Sequence, residues 1–66
     1  MKIIVNGEER EFEEGVTLAE VIRLLGLEGK VMAAAINMQI VKQEKWDTTS
    51  LCSGDRLELL DFVGGG

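Results

Sequence analysis

The stretch Asp61-Phe62-Val63-Gly64-Gly65-Gly66 holds the residue types that could do chemistry. Apolar residues run into three glycines and a carboxylate. Glycine has no Cβ and the freest backbone, so Gly64 to Gly66 form a thin strip with no packing energy of its own. Fully extended, three residues span roughly 10 Å. Such a strip can thread a channel that side chains would block, and it offers an unhindered carboxyl group. That group is ionised at neutral pH, and its charge repels nucleophiles, so chemistry at its carbon requires prior activation. The plain alternative is a frayed chain end with no role. The rest of the chain has to decide between them.

Composition removes most other chemistry. There is no histidine, hence no near-neutral general base and no imidazole ligand. A single cysteine, Cys52, can make neither an internal disulfide nor a zinc site. The cysteine usage, with no secretory apolar segment, leads us to expect a cytoplasmic protein. No run is long and apolar enough to span a membrane, so no membrane partner is expected. Twelve acidic against seven basic residues leave a net charge of -5, which disfavours nucleic acid and suits a basic protein surface. A chain of 66 residues buries only about 60% of its unfolded surface, leaving little room for an internal substrate cavity. No metal site and no stand-alone enzyme are expected.

The elements that must position the tail are readable in order. Lys2-Ile3-Ile4-Val5 is a β-branched run, and Asn6-Gly7 after it is a strong signal for a tight hairpin turn. Glu8 to Glu14, dense in charge, reads as a protected edge strand and a solvated face. Thr17 and Glu20 have the spacing of a capping box, with Val16 and Val21 as a hydrophobic staple. Leu18, Val21, Ile22 and Leu25 make one apolar helix face, and Gly26 fits the left-handed position after the helix. Val31 to Ile36 is apolar throughout, as suits a strand covered on both sides or beside a docking surface. Asn37-Met38-Gln39 is a turn, Ile40-Val41-Lys42 a return strand, and Gln43 to Asp47 a helical turn carrying Trp46. Residues 48 to 52 are irregular, Ser53-Gly54-Asp55 is a turn, and Arg56 to Val63 is the last strand. The expected fold is α+β, with one helix over one sheet face and the other face open. Residues 1–63 form the domain and 64–66 the flexible glycine tail.

With these pieces in order, the chain resembles the ubiquitin-like β-grasp sulfur carriers, most closely the ThiS-like carriers of thiamin biosynthesis. The resemblance rests on Asn6-Gly7, Gly15-Val16-Thr17-Leu18, Ala33-Ala34-Ala35-Ile36-Asn37 before Ile40-Val41, Trp46, Gly54-Asp55, and Phe62-Val63-Gly64-Gly65-Gly66. It implies a mixed sheet of four to five strands packed on one helix. It also implies that Gly66 supplies a carboxylate that a ThiF-like adenylating enzyme activates with ATP and Mg. A persulfide from a cysteine desulfurase system then provides sulfur. The resulting thiocarboxylate delivers it to a ThiG-like thiazole synthase. The carrier itself binds no cofactor and is a co-substrate of its partners.

Gly64 and Gly65 would let the backbone enter the partner's channel. By strand alternation Leu60 and Phe62 should face away from the helix, opposite Leu57 and Leu59. With Ile4 they would form an apolar docking patch. Cys52 is expected to be a buried small hydrophobe, Trp46 a structural plug, and Met32 and Met38 core and turn packing. The rival readings are sulfur carriage for molybdopterin or another thio-metabolite, a purely non-covalent ubiquitin-like binding module, and a protein modifier joined to lysines.

Overall fold

The computed structural model describes residues 1–61, with the Asp61 side chain excluded. The expected domain boundary at residue 63 and the Gly64–Gly66 tail lie outside the described residues. Along the chain run β1 (Lys2–Val5), β2 (Glu8–Glu11), α1 (Leu18–Leu24), β3 (Val31–Ile36), β4 (Gln39–Val41), a short 3-10 turn (Gln43–Lys45) and β5 (Arg56–Asp61).

The strands form one sheet in the order β2-β1-β5-β3-β4. Both hairpins are antiparallel, β5 is antiparallel to β3, and β5 is parallel to β1. The last strand therefore lies at the centre of the sheet. The β1–β2 turn places Asn6 at φ 49° and Gly7 at φ 87°, the pair of positive values that this hairpin class demands. β2 is an edge strand exposed at every residue, and its charges protect it from pairing with other chains.

Helix α1 starts as its sequence dictates. Thr17 Oγ1 accepts from the Glu20 N–H at 3.2 Å, and Glu20 Oε1 accepts from the Thr17 N–H at 2.9 Å. Two unpartnered N–H groups of the first turn remain, and the irregular segment takes both. Leu18 donates to the Thr49 carbonyl at 2.9 Å and Ala19 to the Trp46 carbonyl at 3.0 Å. At the other end Gly26, at φ 74°, allows its N–H to reach the Arg23 carbonyl and that of Leu27 to reach the Ile22 carbonyl, each at 3.0 Å. This is the double closure that left-handed glycine makes possible.

Leu18, Val21 and Ile22 bury themselves against Ile3, Val5, Ala34, Leu57 and Leu59. Trp46 is buried and its Nε1 donates to the Val41 carbonyl at 2.8 Å, so it plugs the core and ties the crossing segment to β4. Met32 is not core. A bulge between Val31 and Ala33 turns it outward, and it is 55% exposed. Met38 sits in the β3–β4 turn at φ 72°, with its side chain free rather than packed. Cys52 is exposed too: it lies in the loop before β5, where its N–H donates to Asp55 Oδ2 at 2.7 Å.

Candidate functional site

The residues expected to react follow β5, the last described strand. Two asparagine side chains brace this strand. Asn37, at the β3–β4 turn, donates to Asp55 Oδ1 and accepts from the Arg56 N–H, both at 3.0 Å, which fixes where β5 begins. Asn6 accepts from the Leu59 N–H at 2.8 Å. The strand then runs beside β3 as far as Asp61. Phe62, Gly64, Gly65 and Gly66, expected to dock, enter a channel and react, lie outside the described residues.

Of the expected docking residues, Leu60 and Ile4 both face away from the helix. Leu57 and Leu59 are buried while Leu60 is 56% exposed, and Ile4 is half-buried between two fully covered neighbours, Ile3 and Val5. They share a face but are not neighbours. Ile4 is level with Arg56, so Leu60 lies four residues further along β5, roughly 13 Å at strand rise.

What adjoins Leu60 is the β3–β4 hairpin. Leu60 is paired with Ala33, and Ala35 with Ile40. The two alanines make a low floor between two exposed walls, Leu60 and Ile40. The result is a shallow apolar hollow of about 230 Å³ lined also by Glu58. Ile40 is 72% exposed, and the sequence marks it only as part of a return strand. The signal available was the unbroken apolar run Val31–Ile36, too hydrophobic for a strand with one wet face.

A larger hollow of about 580 Å³ lies at the helix start, among Glu13, Glu14, Glu20, Arg23 and Leu24. It is wide open, and Glu20 is engaged in the cap. Among the described residues no three Cys, Asp or Glu side chains gather as a metal site, and no buried side-chain polar atom is left without a partner. No described helix is long and apolar enough to cross a membrane.

One helix laid over a five-stranded mixed sheet, with the first and last strands parallel at its centre, is the ubiquitin-like β-grasp architecture. The crystal structure of a thiamine biosynthesis protein (ThiS) from Geobacter metallireducens has the same fold. It matches with a TM-score of 0.82 and 28% identity over the whole of both chains. Residues 3–66 match the ThiS family, and the chain belongs to it. It is 32% identical to the sulfur carrier protein ThiS of Escherichia coli (strain K12) over the full length of both. It is also 35% identical, over all 66 residues, to part of the thiazole synthase of Paramagnetospirillum magneticum, and spans 20% of that protein's length.

Proposed function

We propose that this chain is a sulfur carrier for formation of the thiamin thiazole, with the Gly66 carboxylate as the reacting group. The observation that carries this reading is the family match, which runs to Gly66 and includes the glycine triplet. In the first step the carboxylate oxygen attacks the α-phosphate of ATP on a ThiF-like partner, Mg shields the phosphate charge, and pyrophosphate leaves. The acyl adenylate is an electrophile where the carboxylate was not. Persulfide sulfur from a cysteine desulfurase system adds to the acyl carbon and AMP departs. Two-electron cleavage of the remaining S–S bond by a thiol leaves the thiocarboxylate. The chain contributes the acyl group and its presentation, and the partners contribute the catalytic groups.

A ThiG-like thiazole synthase is the acceptor in this reading. Its support is the Paramagnetospirillum magneticum thiazole synthase, a fifth of whose length aligns with this whole chain. Joining two partners covalently raises their effective concentration to about the millimolar range. A separate carrier must reach the synthase by docking, and the hollow between Leu60 and Ile40 is apolar surface suited to it.

The test is an intact-mass measurement. The chain is incubated with a ThiF-like enzyme, ATP, Mg and a persulfide donor. Exchange of one oxygen for sulfur, mapped to Gly66 and dependent on ATP, is expected. An unchanged mass beside an enzyme that activates a known carrier refutes the reading and favours a binding-only module.

A further inference from the structure

Asn6 serves two elements at once. Its backbone forms the first corner of the β1–β2 turn at φ 49°. Its side chain leaves the hairpin and accepts the Leu59 N–H at 2.8 Å, 53 residues further along the chain. The topology shows what this bond adds. β1 is paired with β5 only at Ile4↔Arg56 and Val5↔Leu57. The Asn6 N–H to the Leu57 carbonyl, at 2.9 Å, closes that ladder. The chain then turns into β2, so the next β1 carbonyl is not there to receive Leu59. In a parallel ladder alternate residues of one strand donate to the same neighbour, and Leu59 follows Leu57 in that row. The Asn6 amide oxygen takes the place of the absent backbone carbonyl. Among the described residues this is the last hydrogen bond on the β1 flank of β5, two positions before Asp61.

We infer that Asn6 is a positioning residue for the reaction proposed at Gly66: it holds β5 to the sheet beyond the end of β1, so that the activating partner meets this strand in one held form. The inference rests on the sulfur-carrier reading. The turn accounts for asparagine as a residue type but not for the bond its side chain makes to β5, since glycine makes the same corner without any oxygen. Without the bond, β5 is released on one flank for part of the time. A partner that accepts only the held form then binds with an apparent affinity reduced by the held fraction.

Two variants separate the turn from the brace. Asn6→Gly keeps the positive φ and removes the acceptor; Asn6→Asp keeps both the φ tolerance and an acceptor oxygen. Amide exchange of Leu59 is followed in the free chain, with the Ile4 amide, bonded to the Asp55 carbonyl at 3.0 Å, as internal control. KM and kcat for the carrier are then measured in ATP-dependent activation by a ThiF-like enzyme. In Asn6→Gly, Leu59 exchange should quicken about fivefold relative to Ile4, the population change that one hydrogen bond controls. KM should rise by the factor by which the held fraction falls, at constant kcat, and Asn6→Asp should restore both. Parental Leu59 protection in Asn6→Gly overturns the inference, and so does a KM that stays parental while the held fraction read from Leu59 exchange falls, the result of a merely structural bond. Should Asn6→Gly not fold, Asn6→Asp decides: parental exchange and KM support the brace, and loss of either overturns it. A parent chain that is never activated refutes the sulfur-carrier reading and the inference together, whereas an activated parent with an indifferent Asn6→Gly refutes the inference alone.

Discussion

Leu60 and Gly65 carry the two residue-level tests, for opposite reasons. An exposed leucine is commonplace by itself. Leu60 differs because two alanines beside it leave a hollow and Ile40 closes the other side. A glutamate there removes no core contact, since Leu60 is more than half exposed. Leu60→Glu should therefore alter folding stability by no more than about 0.5 kcal/mol. It should weaken binding to the thiazole synthase at least about tenfold, as a charge placed in an apolar contact does. Thermal melts beside binding titrations check this, and a collapsed melt with unaffected binding would reverse the facing of the strand. Gly65→Val tests the tail. Its melting curve should overlay that of the parent, and its mass should remain unchanged under activating conditions, because a branched side chain restricts φ and widens the strip. The role of Leu60 was half legible: alternation along Arg56–Asp61 shows which way it points, but nothing in its local sequence names Ile40 as its neighbour.

At the level of elements, the helix start shows how local and distant contributions combine. Thr17 and Glu20 declare a capping box by spacing alone, and both bonds are present. Thr17→Ala should cost about 1 kcal/mol. In a domain of this size that lowers the melting temperature by about 4–8 °C, which calorimetry would detect. A negligible change would mean that the Thr49 and Trp46 carbonyls suffice to hold the first turn. Those two acceptors were not legible, because residues 46 to 51 carry no periodicity that reveals their path. Strand β3 teaches the same lesson from the other direction. Simple alternation from Val31 would place Ala33 inward and Ala34 outward, yet Ala34 is buried and Ala33 faces the hollow. The bulge at Met32 resets the alternation, and a bulge depends on the partner strand as much as on the bulged one.

For the whole molecule, net charge and shape act together. A charge of -5 on a small domain steers it toward a basic partner, and the steering is screened over about 10 Å at 0.1 M salt. The association rate with the activating enzyme should fall about tenfold between low and high salt while dissociation changes little. Stopped-flow binding across a salt series would show it. A flat association rate would assign recognition to the apolar hollow alone.

Much of the architecture was decided locally and is therefore visible in the sequence. Asn6-Gly7 sets a turn by backbone sterics, Thr17 to Glu20 starts a helix, Gly26 ends it, and the spacing of Leu18, Val21 and Ile22 chooses its buried face. These depend on neighbours within a few residues. The glycine triplet on which the proposal at Gly66 is built is a local feature too. Long-range pairing decided the rest. It placed β5 between β1 and β3, set Leu60 beside Ala33 and Ala35 rather than beside Ile4, and brought the Asn6 side chain to Leu59. Register and bulges are properties of two strands together, so no single stretch of sequence contains them.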